Sequence, residues 1–358
     1  MLDRFKVPEE DRVYVRESEV RAATEAIFLA IGLVEADAKR AADVLIQNDL
    51  RGVETHGVSN MLRSYVASYQ SGDLEPKPKI VTERETSTTA VLDGGKGLGL
   101  HVAPTAMEMA IEKARVHGMG AVNVHNVGHM GGAGYHAMMA IEHDMIGVAM
   151  STSGRAIVLP TWGAEPRLGT NPIAWAVPAG EMPSFVFDIG TSQIAANKMR
   201  LAKRVGARIA PGWIARPDGT PVMEEIDFPD EYYLLPFGGT RELGSHKGYG
   251  LGATVNILSS ILTGIGPSLA PSSPGFHLMA YRIDAFIDVA KFKADMDEFL
   301  RGLVATRPAP GEARVVYAGL LEEEEHARRL ETGIPYHTEV IEWFGTIGKE
   351  LGLTFSFV

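Results

Sequence analysis

The spacing of apolar residues changes once along this chain, and that change limits the folds open to it. Up to about residue 70 the spacing is helical. Val20, Ala23, Ile27 and Ile31 recur on one face after a capping Ser18, and Gly32 stops the helix. A second helix over 36–50 turns Ala41, Val44 and Leu45 inward. The stretch "SGDLEPKPKI" at 71–80 is rich in Gly and Pro and reads as a linker. Beyond it, short apolar runs alternate with helical segments: "TTAVLDGG", a helix from Pro104 to His117 closed by Gly118, "AVNVHNV", "IGVAMSTS", "PIAWAVP" and "FVFDIG". A long Gly-containing helix from Lys247 to Gly264 follows, then strands in "MAYRIDAFID" and "ARVVYAG" around a helix in "KFKADMDEFLRGLV", and a closing helix from Val340 to Leu351. This order predicts an α/β protein, a sheet covered by helices with a helical region at the amino end.

Composition narrows the chemistry. With 358 residues, 45% hydrophobic and 22% charged, the chain has the makings of about two globular domains. It has no cysteine, which removes disulfides, thiolate nucleophiles, Cys-ligated zinc and iron–sulfur clusters. Catalysis then falls to His, carboxylates, Lys, Tyr, Ser/Thr or a bound cofactor. A net charge of -11 with dispersed Lys and Arg argues against a nucleic-acid partner. No secretion signal opens the sequence and no run of about 18 apolar residues interrupts it, so the expectation is a cytoplasmic protein with no membrane segment. The acidic run Glu322–Glu325 reads as the solvated first turn of a helix.

The usual nucleotide signatures fail. The nearest G-x-G-x-x-G match is Gly248, Gly250 and Ala253, which opens a helix without a preceding strand and has no acid about 20 residues on. In "GTRELGSHKG" Ser245 stands where a P-loop needs lysine, and none of the ten tyrosines begins a Tyr-x-x-x-Lys pair. Two Gly-rich turns remain as places where backbone amides could approach an anion or a planar ring: "GHMGGAGYH" at 128–136, and Gly190, Thr191 and Ser192 behind Asp188.

Among the histidines, His125 and His129 are four apart, a spacing that suits a metal hydrolase if they lie on one helix, although "AVNVHNVGHMGG" begins as a strand and breaks at Gly128. His56, in "RGVETHGVSN", follows Arg51 and Thr55 and precedes Gly57. A 2-oxo acid needs a cation for its carboxylate and a proton for the oxygen that gains charge, and Arg51 and His56 can supply both. The other reading is that Arg51 and His56 complement a helix C-terminus. Lys247 can likewise hold a phosphate or ribose, or simply cover apolar surface.

Taken in order, "RGVETHG", "GHMGGAGYH", "LGTNPIAWAVP", "FDIGTSQIA", "APGWIARPDGTP" and "GSHKGYGLGATVNILSSILTG" resemble the malate/L-lactate dehydrogenase family, which includes sulfolactate, ureidoglycolate and diketogulonate dehydrogenases and a cyclic-imine reductase. The resemblance runs from about residue 11 to the end. It implies a homodimeric oxidoreductase using NAD or NADP on a small 2-hydroxy/2-oxo acid, with a piperideine- or pyrroline-2-carboxylate reductase as the alternative. It also implies a mixed, largely antiparallel, non-Rossmann sheet at 81–241 with 266–335, and a helical domain at 1–80 completed by 242–265 and 336–358. The family's proton donor carries onto His56, with Thr55 and Asp188 as orienting partners, and the histidine near nicotinamide and substrate onto His129. Cofactor contacts carry onto Ser153, Thr170, Asn171, Asp188, Gly190, Thr191, Ser192, His246, Lys247 and Gly319. Two departures stand out. The arginine usual four residues after the motif histidine is Asn60, leaving Arg51 or Arg63 as the carboxylate partner, and a Pro-Gly-Glu motif appears as Ala318, Gly319 and Leu320.

Overall fold

A short strand β1 (Arg12–Val15) leads into three helices, α1 (Glu17–Ala30), α2 (Glu35–Leu50) and α3 (Val58–Gln70), with a 3-10 turn at Glu54–His56 between the last two. The computed structural model describes residues 3–152, 154–267 and 274–358. α1 begins one residue after Arg16 and not at Ser18, because Glu19 reaches back to accept the Arg16 amide at 3.4 Å. The predicted inward residues Val20, Ala23, Ile27, Ala41, Val44 and Leu45 are buried there with Phe28 and Leu62. The same core takes in the far end of the chain. β11 (Ile334–His337) pairs antiparallel with β1, and α10 (Thr338–Leu351) adds Val340, Phe344 and Ile347.

Between these ends lie β2 (Val81–Glu85), β3 (Thr89–Asp93), α4 (Gly99–His117), β4 (Met119–His125), α5 (Ala133–Met138), β5 (Met145–Ser151), β6 (Ile173–Val177) and β7 (Phe185–Ile189). They are followed by α6 (Ala196–Arg204), a small ribbon of β8 (Ile214–Ala215) and β9 (Tyr233–Leu234), α7 (Ser245–Asn256), β10 (Phe276–Arg282), α8 (Val289–Val304) and α9 (Leu320–Thr332). The main sheet has seven strands in the order β2-β3-β4-β10-β5-β6-β7, and every neighbouring pair is antiparallel except β3 and β4. That parallel pair needs a crossover, which α4 supplies. α4 starts five residues before Pro104, so the proline sits inside the helix rather than at its first position. Its face of Ala103, Ala106 and Ala110 packs on Val122, Val124 and Leu278, and a Cβ at Gly120 would lie 2.1 Å from the Ala110 carbonyl oxygen. Small residues on both sides are what let helix and sheet approach so closely.

Three local expectations change. The segment 313–319 is irregular rather than a strand: the Ala318 carbonyl accepts one bond from Val186 (3.0 Å), and Gly319, at φ +97°, turns the chain into α9 before a ladder can form. The helix expected from Lys247 to Gly264 is α7 followed by a π-helical turn at Ile257–Ile261. It buries Val255 against Val148, Met150 and Ile173 of the sheet, not against the amino-terminal helices that the span 242–265 was expected to complete. The acidic run does open α9, yet three of its four members pair with arginines: Glu323 with Arg51, Glu324 with Arg314, Glu325 with Arg328 and Arg329. Among the described residues no helix is long and apolar enough to cross a membrane.

Candidate active site

Asp49, near the end of α2, and the turn that follows it set the position of His56. Its carboxylate accepts the Val58 amide (2.9 Å) and the Tyr336 hydroxyl (2.7 Å), capping α3 from nine residues upstream. Arg329 donates to the Asp49 carbonyl (2.7 Å) and pairs with buried Glu54, so α9 and β11 brace the turn from below. The Thr55 carbonyl accepts from Asn60 (3.1 Å) and from Asn197 of α6 (2.9 Å). Burial pushes the Asp49 carboxyl up to about 7 against the pull of Tyr336 and the Val58 amide, as expected of an acid taken out of water.

Held in this way, His56 stacks on His129, the ring centroids 5.7 Å apart and the planes 10° from parallel. Thr55 Oγ1 lies 2.9 Å from His56 Nδ1. His129 Nδ1 is approached by the Tyr65 hydroxyl (2.7 Å) and by the Gly131 amide (3.1 Å). An amide N–H can only donate, so Nδ1 is an acceptor and the neutral ring carries its proton on Nε2. Burial pushes His56 down to about 3, helped by His129 and Lys198, and His129 down to about 4, helped by Arg200. Both imidazoles are neutral bases at neutral pH.

The pair opens onto a cavity of about 1180 Å3, lined also by Arg51, Thr55, Tyr65, Asp188, Lys198 and Arg200. That exceeds the roughly 300–1,000 Å3 of common small-molecule sites. Asp188 Oδ2 accepts the Gly134 amide (2.7 Å), and although the residue faces the open cavity, the surrounding protein pushes its carboxyl up to about 6. Among the described residues no hydrogen bond joins Asp188 to His56; Thr55 alone bonds the imidazole directly.

The cavity gathers some of the expected residues and leaves others out. Thr170, Gly190, Ser192 and Gly319 line it. Asn171 and Thr191 are buried behind that wall: Thr191 Oγ1 bonds the Thr170 and Asn171 carbonyls at 3.1 Å, and Asn171 donates to Gly252 at 3.0 Å. Ser153 lies outside the described residues. His246 and Lys247 are exposed on the first turn of α7 and do not line the cavity. Gly248 sets that turn by close packing, since a Cβ there would lie 2.2 Å from the Phe237 carbonyl oxygen, whereas a Cβ at Gly250 would meet nothing within 4 Å; of the two glycines in the G-x-G-x-x-G look-alike, Gly248 serves packing. His125 pairs with Glu83 (2.8 Å) and His129 with Tyr65, and no cluster of three or more metal-ligating side chains forms among the described residues.

Of the carboxylate candidates, Arg51 lines the cavity but is paired to Glu323 at 2.7 Å. Arg63 lies outside it, 3.4 Å from Glu339 and over the Trp343 ring, and Asn60 is spent on the Thr55 carbonyl. Replacing Arg63 by Gln is therefore expected to leave KM for an acid substrate within about twofold of wild type, because exposed pairs contribute little. Steady-state kinetics checks this, and a tenfold rise would return Arg63 to the site. Sequence reasoning missed Tyr65, Asn197, Lys198 and Arg200. Tyr65 is a core aromatic by spacing, and the other three sit at a helix start whose direction only the fold determines.

A sequence model described as malate/L-lactate dehydrogenase matches residues 15–344. The chain is 38% identical to a malate dehydrogenase of Pyrococcus abyssi, over 96% of this chain and 98% of that protein. It is 34% identical to an L-sulfolactate dehydrogenase of Methanocaldococcus jannaschii, over 91% and 94%. The solved structure of a malate dehydrogenase from Entamoeba histolytica superposes with a TM-score of 0.90 at 31% identity, covering 96% of this chain and 99% of that one.

Proposed function

Because this chain belongs to the malate/L-lactate dehydrogenase family, we propose that it is a hydroxy-acid dehydrogenase whose proton-transfer group is His56, working with NAD or NADP on a small 2-hydroxy/2-oxo acid. The observation that carries this reading is the stacked His56–His129 pair, neutral and braced, on the wall of a cavity with room for both a long cofactor and a substrate. The cofactor's fit is supported by the turns lining that cavity: Gly128–Gly131 after β4, Gly190 and Ser192 after β7, and Gly319 before α9. Their backbones can lie against a ring or a pyrophosphate where larger side chains would intrude. When bound, a nicotinamide accepts or gives the hydride at the substrate's C2.

The protein's part is the proton and the orientation. In alcohol oxidation, neutral His56 accepts the hydroxyl proton as C2 becomes a ketone. In reduction, protonated His56 returns it to the oxygen. His129, with Nδ1 held by Tyr65 and Gly131, keeps its Nε2–H as a hydrogen-bond donor on the ring's other edge. In this reading the amino-terminal helices, with 336–358 packed behind them, form one wall of the cleft and the sheet unit the other. A homodimer is part of the proposal, supported by the apolar side chains Ile257, Ile261 and Leu262 left exposed after α7.

The test is an absorbance screen at the NAD(P)H band, both cofactors against 2-oxo acids and cyclic imines, followed by a pH profile. With the His56 pKa held down to about 3, its protonated form thins as pH rises. kcat/KM reports the free protein, so for reduction it is expected to fall nearly tenfold per unit between about pH 5 and 8, while oxidation stays level over that range. A level reduction profile would remove His56 as donor. Turnover of cyclic imines alone would move the substrate class.

A further inference from the structure

The site needs a cation beside His56, and the expected arginines do not supply it. The C1 carboxylate of a 2-hydroxy acid is bonded directly to the carbon whose oxygen exchanges a proton with His56, so its binding group must stand next to that imidazole. Arg51 is held by Glu323 and Arg63 is outside the cavity. α6 offers two others. Asn197 ties the start of this helix to the His56 turn by its 2.9 Å bond to the Thr55 carbonyl, and the next residue is Lys198. Lys198 lines the cavity, largely buried, and among the described residues no hydrogen bond or ion pair reaches its ammonium. Its charge is felt at His56, and the acid drawing on it is Glu322, itself on the cavity wall. A cation taken out of water without a partner is unfavourable until an anion arrives. Two residues on, Arg200 lines the same cavity from a more exposed position, where its charge is felt at His129 and Tyr65.

We propose that Lys198 binds the C1 carboxylate of the substrate beside His56 and that Arg200 binds a second anionic group, so that the preferred substrate is a 2-hydroxy or 2-oxo acid with two negative charges. The inference rests on the reading of His56 as the proton-transfer group. It uses a carboxylate site different from the one the sequence suggested.

The experiment compares Lys198→Met, Lys198→Arg and Arg200→Gln with wild type, using oxaloacetate as dianion and pyruvate as monoanion. Thermal melting of each variant checks the fold. Lys198→Met is expected to raise KM for both acids by about tenfold or more, with a much smaller change in kcat, and Lys198→Arg to recover a large part of that loss. Arg200→Gln is expected to raise KM for oxaloacetate at least about fivefold more than for pyruvate. Calorimetric titration with tartronate and oxamate, in the presence of NAD+ or NADP+, should repeat both patterns without turnover. Lys198→Met with both KM values within about twofold of wild type overturns the carboxylate assignment. Arg200→Gln weakening dianion and monoanion equally overturns the second site. If wild type consumes no cofactor with any acid, the functional reading fails instead, and the calorimetry still reports whether α6 holds the anions.

Discussion

His56→Ala is expected to lower kcat by about a hundredfold or more while the protein keeps its fold. Among the described residues the imidazole makes one hydrogen bond, to the neighbouring Thr55, and it stacks on His129 at the cavity wall. The turn itself is carried by Asp49, Arg329, Asn60 and Asn197 acting on backbone groups. Removing the ring thus deletes the proposed proton carrier without releasing its support. Steady-state kinetics in both directions, with a melting curve beside them, checks the expectation. A variant within threefold of wild-type kcat would mean that the proton comes from elsewhere, and a change confined to KM would reduce His56 to a binding group.

Gly57→Ala should damage both stability and rate. The glycine's backbone, at φ -92°, is open to any residue, so the effect is purely steric. A Cβ there would lie 1.7 Å from Asp49 Oδ1 and 2.3 Å from its Cγ. Asp49 has nowhere to retreat: it is wholly buried, with its other oxygen held by Tyr336 and the Val58 amide. Overpacking of this kind costs about 1–3 kcal/mol. Relief by moving the turn also displaces His56, for which a loss of about tenfold or more in kcat is expected. Chemical denaturation and kinetics measure the two effects. Asp49→Ala in the same background vacates the clash, so the double variant should lose less stability than the sum of the singles. Strict additivity would show that the contact does not limit the turn.

Much of the fold could be read from local pattern. The change of apolar period near residue 71 separates helical from sheet-forming segments, and the inward positions of α1 and α2 follow their 3.6-residue repeat. The errors fall where a rule of sequence meets a tertiary contact. Pro104 marks a helix start by propensity, but packing on the sheet extends α4 past it. The run 313–319 has strand composition, yet among the described residues Val186 is the one sheet-strand residue that offers its backbone a bond.

The site divides along the same line. Thr55, His56, His129 and Asp188 are conspicuous in sequence because their neighbours are glycines and polar residues at the ends of periodic segments, where chemistry is commonly carried. Lys198 and Arg200 look like the basic side of an amphipathic helix, and nothing local distinguishes them from Lys203 or Arg204.

By itself the sequence determined which chemistry was open, through the lack of cysteine and the histidine motifs, and it determined the family and the succession of elements. Only the tertiary structure decided that Thr55 rather than Asp188 bonds His56 directly, that Arg63, His246 and Lys247 lie off the cavity wall, and that α6 brings two cations to the imidazole pair. The reason is physical: residue type and periodicity set which groups can ionise and which face of an element is buried. The direction in which a side chain points across a cavity depends on contacts between segments as far apart as Asp49, Asn197 and Arg329.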